Sequence, residues 1–201
     1  MLRIGVFGGS FSPVHNGHLH LAQFALSEFN LDKVYFVPAR QNPLKTGQAL
    51  LPSGLRVRCL RAAIRGKKSF ELSSCELRRR GASYTIDTLR AFRKRFGSKT
   101  VLYFLAGADN ARNLSRWKSA DKVIKLSRFV ILSRPGAARF KTPPGVLWAS
   151  FPALDVSSSQ VRRRWQAGQD LKGLVPAGVE QILKKSKKKA DFPSKSKRKS
   201  R

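Results

Sequence analysis

The chain has 201 residues, enough for one domain with a substantial core and short for two independent ones. Its 41 Lys and Arg stand against 11 Asp and Glu, and the net charge of +30 favours polyanionic ligands. The two cysteines, Cys59 and Cys75, form no CxxC pair and adjoin no histidine cluster, and no stretch approaches the roughly 20 apolar residues of a membrane span, so a zinc site, a disulfide scaffold and a spanning helix are all unexpected.

From the N-terminus, Leu2 to Phe7 is an apolar run that ends in Gly8-Gly9, the pattern of a buried strand feeding a turn. It is too short for a secretory signal, and the expected location is the reducing cytoplasm. Beyond Pro13, the residues Leu19, Leu21, Ala22, Ala25, Leu26 and Phe29 recur at helical spacing, which predicts a helix from Asn16 or Gly17. Lys33 to Val37, closed by Pro38, is a second strand, and a strand, helix and strand in that order predict a parallel, right-handed crossover.

Ala39 to Pro52 is a loop, after which Ser53 is placed to cap a helix through Leu55, Val57, Leu60 and Ile64. Short strands are expected at Phe70 to Leu72 and at Cys75 to Leu77. A helix over Tyr84 to Phe96 stops at Gly97. Val101 to Asn110 repeats the opening pattern of strand, glycine-containing turn and polar cap, and further strands are expected at Phe129 to Ser133 and Val146 to Ala149. A serine run after Asp155 opens a basic amphipathic helix from about Gln160 to Ala167, and a last helix begins at Pro176.

Strands and helices that alternate throughout imply a doubly wound, Rossmann-like α/β fold, a mostly parallel sheet with helices on both faces. Ligands of such sheets sit beyond the carboxyl ends of the strands, so Gly8 to His18, Gly107 to Asp109 and Arg134-Pro135 should share one rim. Residues 1–183 are expected to form this domain. Residues 184–201 hold ten Lys or Arg and one Asp and predict a disordered basic tail, yet +21 of the charge lies on the body.

The stretch Gly5 to Ala22, GVFGGSFSPVHNGHLHLA, carries the chemistry. Gly8 and Gly9 allow a sharp turn and close approach to the main chain. His15 and His18, three apart at a helix start, project to one end of that helix, where free N–H groups and the positive end of the dipole form an anion cradle. Gly17 between them withholds a Cβ that would crowd a phosphate. In DVSSSQVRRR, the hydroxyls of Ser157, Ser158 and Ser159 and the guanidinium of Arg162 again offer donors at a helix N-terminus.

His15-Asn16-Gly17-His18 with this serine and arginine run resembles the HxGH nucleotidyltransferases. Within them the chain is most similar to the bacterial nicotinate-nucleotide adenylyltransferases, through GGSFSPVHNGHL, ELRRRGASYTIDTL, FLAGADNARNLSRW, LSRPG, DVSSSQVRRR and LVPAGV in that order. The resemblance implies that His15 and His18 are the catalytic pair holding ATP phosphates, and that adenine lies against the turn Gly8, Gly9, Ser10 and Phe11. It implies that Gly107, Asp109, Ser157, Ser158, Ser159 and Arg162 complete the ATP site, Asp109 at a ribose. Lys45, Tyr84, Thr85, Trp117 and Arg134 would bind the acceptor side: Tyr84 and Thr85 at the nicotinate carboxylate, Trp117 on the pyridine ring and Arg134 near phosphate. Mg²⁺ would arrive on the ATP phosphates, with no protein metal site.

Taken singly, Trp117 reads as a packing residue, Tyr84-Thr85 as a helix start and Asp109 as a cap; their joint occurrence in family order gives them their weight. The chain departs from the family pattern at Ser12, where FDPVH is usual, at Leu44 in Asn42-Pro43-Leu44-Lys45, where PPHK or PPHR is common, and at Arg40, where asparagine is frequent. Nicotinamide mononucleotide and phosphopantetheine are the alternative acceptors. A nucleic-acid binder on the same scaffold is the alternative class, with the basic tail as a weak polyanion tether. Homo-oligomers are open on this sequence.

Overall fold

A computed structural model describes residues 1–41 and 50–187. Its elements in chain order are β1 (Arg3–Gly9), α1 (Asn16–Glu28), β2 (Lys33–Pro38), α2 (Ser53–Ile64), β3 (Phe70–Leu72), α3 (Cys75–Arg78), α4 (Thr85–Phe96), β4 (Val101–Gly107), α5 (Ala108–Ala111), α6 (Ala120–Leu126), β5 (Arg128–Ser133), β6 (Val146–Ser150), α7 (Ser158–Gln166) and α8 (Ala177–Lys187), with a 3-10 turn at Leu114–Arg116. The six strands are parallel, in the order β3-β2-β1-β4-β5-β6. This is the expected Rossmann-like α/β fold.

Alternation along the strands divides the core in two. Phe7, Phe36, Leu105 and Val130 face α1, α2, α7 and α8, whereas Val6, Tyr35, Phe104 and Phe129 face α4 and α6. Because both faces are covered, each strand is a nearly continuous apolar run, which is why the strands were legible as runs. The order reverses between β1 and β4, so their carboxyl ends diverge into loops on opposite faces and leave a crevice between them.

Four local expectations change. Cys75 to Leu77 lies in α3, not in a strand: β3 ends its pairing at Leu72, and Glu76, which a strand would have turned outward between Cys75 and Leu77, is buried on the Thr88 hydroxyl. Pro52, not Ser53, occupies the cap of α2. Helix α7 starts at Ser158 because Ser157 and Gln160 form a reciprocal capping box, which places the start two residues before Gln160. Helix α8 continues to Lys187, carried past Lys184 by packing of Val179 and Leu183 in the core and by the Lys184–Glu180 ion pair of 2.6 Å. The rest of the expected tail, 188–201, lies outside the described residues, as does Lys45. Among the described residues no helix is long and apolar enough to cross a membrane.

Candidate active site

The turn after β1 is drawn tight. Phe11 adopts φ 43, a conformation uncommon for a bulky residue, and folds its ring back so that a Cβ on Gly9 would stand 3.0 Å from it. The Phe11 ring is buried against Phe7, Phe36 and His18, so Phe11 presents only its backbone to a ligand. Guanidiniums hold the turn from behind: Arg162 Nη1 donates to the Ser12 carbonyl at 2.7 Å, and Arg56 Nη1 to the Ser10 carbonyl at 2.7 Å.

His15 is the cap of α1 and His18 its third residue. The His15 backbone N–H donates to Nδ1 of His18 at 3.2 Å, so the neutral His18 ring carries its proton on Nε2. The two rings stack with centroids 3.7 Å apart. Burial pushes the His15 imidazole down to about 4, which keeps it uncharged at neutral pH, and its Nδ1 has no partner among the described residues. Gly17 gives this stack room: a Cβ there would stand 3.1 Å from His15 Nδ1 and 3.0 Å from Val156 Cγ1. Part of the crowding it prevents is thus with His15 itself. Ser158 Oγ donates to the Pro13 carbonyl at 3.0 Å and Arg162 Nη2 to Ser159 Oγ at 3.3 Å, which seats the start of α7 beside the histidines.

In front of the turn lies a cavity of about 420 Å³. Gly8, Gly9 and Ser10 form one wall; Ser83, Tyr84 and Thr85, at the N-terminus of α4, form another; Asp109, Asn110 and Asn113 with Arg116, Trp117 and Lys118 form the third. Trp117 packs edge-on against Phe104 and Phe129, and Lys118 Nζ lies 4.5 Å above the Tyr84 ring. Tyr84 caps α4, and its carbonyl accepts from Asp87 and Thr88, so the first-turn amides face the cavity end of the helix. Glu76 also lines the cavity. Burial raises its carboxyl above the usual range, while hydrogen bonds with Thr88 and Ser83 and the Arg79 charge act the other way.

The family profile described as cytidylyltransferase-like matches residues 6–164. A protein of Clostridium tetani named "Probable nicotinate-nucleotide adenylyltransferase" is 35% identical over 92% of this chain and 98% of its own length. One of the same name from Bacillus licheniformis is 37% identical over 93% and 98%. This chain belongs to the nicotinate-nucleotide adenylyltransferase family. The nicotinic acid mononucleotide adenylyltransferase of Plasmodium falciparum, solved in complex with NaAD, shares its fold with a TM-score of 0.71 at 19% identity, over 92% of this chain and 97% of that one.

The family's signature stretches fall into two neighbouring groups. Gly8, Gly9, Ser10, Tyr84, Thr85, Asp109 and Trp117 line one cavity, and His15, His18, Ser158, Ser159 and Arg162 cluster at the entry of α1 and α7. Gly107 caps α5 and supplies no cavity wall; Ser157 is spent on the α7 cap, accepting from Gln160 N at 3.2 Å. Arg134 stands apart from the cavity, paired with Asp155 at 3.6 Å and largely exposed. Sequence reading missed Arg56, Glu76, Arg116 and Lys118 at the site. The signal for Glu76 was a charged residue in an apolar alternation; Arg56 offered none, since it sits among exposed arginines of α2.

Among the described residues no group of three His, Cys, Asp or Glu side chains is arranged to hold a metal ion.

Proposed function

We propose that the chain transfers the adenylyl group of ATP to nicotinate mononucleotide, giving nicotinate adenine dinucleotide and pyrophosphate. One observation carries the reading: a single cavity joins the turn after β1 to the amino end of α4 and to Trp117. Its volume suits a small-molecule ligand, and its three walls match three parts of a dinucleotide.

The acceptor's 5′-phosphate oxygen attacks the α-phosphorus of ATP in line. The new O–P bond forms as the bond to the β-phosphate oxygen breaks, and pyrophosphate leaves with the electron pair. The nucleophile is already an anion, so no side chain needs to remove a proton and no covalent enzyme intermediate arises. The work is positioning and charge stabilisation. His18 donates through Nε2–H, and His15 adds an uncharged ring beside it. Arg162, with Ser158 and Ser159 at the start of α7, holds the polyphosphate, and Asp109 meets a ribose. Mg²⁺ enters as part of the MgATP substrate; cations and neutral donors at the phosphate side suit a metal that arrives already bound to phosphate.

On the acceptor side, amides of Tyr84 and Thr85 at the positive end of α4 take the nicotinate carboxylate, and Trp117 offers its face to the ring. Lys45 is assigned to the acceptor phosphate; Arg134, paired with Asp155 outside the cavity, would have to leave that pair to join it. Residues 1–187, through the end of α8, make up the catalytic domain, in the cytoplasm. The basic tail adds weak, salt-sensitive contact with polyanions, measured as retention on nucleic acid at low salt before and after removal of residues 188–201.

The test is pyrophosphate release from MgATP with nicotinate mononucleotide, its amide and phosphopantetheine in parallel. Preferred turnover of the acid is expected. Preference for the amide or for phosphopantetheine would move the acceptor assignment, and no turnover with any of the three would remove the reading.

A further inference from the structure

Arg56 is the one charged side chain of α2 that is withdrawn from solvent, 2% exposed. Its Nε donates to the Leu51 carbonyl at 3.0 Å and its Nη1 to the Ser10 carbonyl at 2.7 Å. Among the described residues no carboxylate pairs with it. A buried cation left with carbonyls alone is unusual, because buried charges are as a rule paired.

Ser12 lies across Leu51 from the guanidinium. It is 1% exposed, and its Oγ accepts from the Leu51 N–H at 2.9 Å. Leu51 therefore bridges the two residues, its N–H on Ser12 and its carbonyl on Arg56. A carboxylate at this position could accept the same hydrogen bond and add a charge within the same buried cluster. Here the hydroxyl keeps the hydrogen bond to Leu51 and omits the charge.

Arg56 also sets a backbone direction. In a planar trans peptide the N–H points opposite to the C=O, so a Ser10 carbonyl held by Arg56 turns the Phe11 N–H away from the buried cation. No group among the described residues accepts from that N–H. A guanidinium on the carbonyl polarises the peptide and strengthens its N–H as a donor. The left-handed Phe11 conformation, φ 43, needs such restraint, and Arg162 on the Ser12 carbonyl supplies the second clamp.

We propose that Arg56 is a positioning residue of the ATP site: its buried guanidinium, with no carboxylate paired to it among the described residues, fixes the Ser10–Phe11 peptide and lends its charge to the nucleotide phosphates. This rests on the adenylyl-transfer reading and adds to it a role for Arg56.

The experiment measures affinity for α,β-methylene ATP with Mg²⁺ by calorimetry, at low and high salt, together with melting temperature, for the full chain and its Ser12→Asp, Arg56→Lys and Arg56→Met variants. Ser12→Asp is expected to melt higher, because the buried cation gains a partner, and yet to bind the analogue about tenfold more weakly, with the gap narrowing in high salt. Arg56→Met should bind more weakly still, Arg56→Lys should fall between, and the KM for the acceptor should stay within about twofold for Ser12→Asp. A purely structural Arg56 would leave Ser12→Asp binding like the parent, and that result overturns the proposal even where Arg56→Met fails to fold. It would leave adenylyl transfer standing, whereas a parent chain that binds no ATP analogue removes both.

Discussion

On its β1 side the site sets the imidazoles of His15 and His18, the hydroxyls of Ser158 and Ser159 and the guanidiniums of Arg56 and Arg162 around the Gly8–Ser10 turn; on its α4 side it is walled by aromatic rings and a helix N-terminus backed by a buried carboxylate, Glu76. The first wall suits a chain of phosphates, which bring their own negative charge and need donors that no internal acid has neutralised. The second suits a flat ring with one carboxylate, which needs a platform and a few aligned amides. Glu76 takes no part in the first wall. It accepts from Thr88 Oγ1 at 2.6 Å, and Arg79 donates to the same hydroxyl at 2.9 Å, so the segment before α4 is tied down beneath the cavity.

If the two walls have these separate duties, changes on each should move different constants. The largest effect is expected from His18→Ala. Losing the Nε2–H donor at the reacting phosphates should lower kcat about 10²-fold to 10³-fold at saturating substrates, as for removal of a donor from an oxyanion hole. A near-normal rate would remove the histidine from the chemistry.

His15 gives the same wall a pH signature in stability. Its imidazole titrates at about 4 in the folded chain against an ordinary 6.5, so between those values the unfolded chain binds the extra proton. The neutral-ring contribution is therefore intact above 6.5 and is lost as pH falls towards 4, in total about 3 kcal/mol. Denaturant titrations at pH 7 and 4.5 should show the parent losing more stability than His15→Gln, and parallel losses in the two would contradict the burial argument.

On the α4 side, Trp117→Ala should raise KM for nicotinate mononucleotide about tenfold, with kcat and the KM for ATP nearly unchanged, as expected for loss of one ring-stacking platform. A shift in the ATP constant instead would put the nucleobase on this wall. The smallest effect is expected from Glu76→Ala, which leaves the Thr88 hydroxyl without its buried acceptor and removes the carboxylate whose charge faces Arg79. It should lower stability by about 1–2 kcal/mol in thermal unfolding and raise the acceptor KM a few-fold through the Ser83–Thr85 segment. Glu76→Gln, which keeps an acceptor oxygen, should recover most of the loss.

The two walls also differed in how far they could be read from the chain. The β1 wall is nearly contiguous: GGSFSPVHNGH places the turn, both histidines and the glycine that gives their stack room within 11 residues, and local spacing carries the geometry. The α4 wall draws Tyr84 from the cap of α4, Asp109 from α5 and Trp117 from the end of the 3-10 turn, and only the resemblance to a family linked them. Strands were readable because a parallel sheet covered on both faces makes apolar runs. Short helices were not, since α3 and α5 have four residues each, too few to show a period. Arg56 was illegible for a different reason. Its burial depends on where the Ser10 and Leu51 carbonyls end up, and no pattern within α2 distinguishes it from Arg58 or Arg61.

The most direct measurement is a structure of the chain with nicotinate adenine dinucleotide bound. The division of labour requires the pyridine ring on Trp117 with its carboxylate at the Tyr84 and Thr85 amides, and the phosphates between His18, the turn after β1 and Arg162. A dinucleotide bound with its adenine on Trp117, or with its phosphates away from His15 and His18, would contradict it.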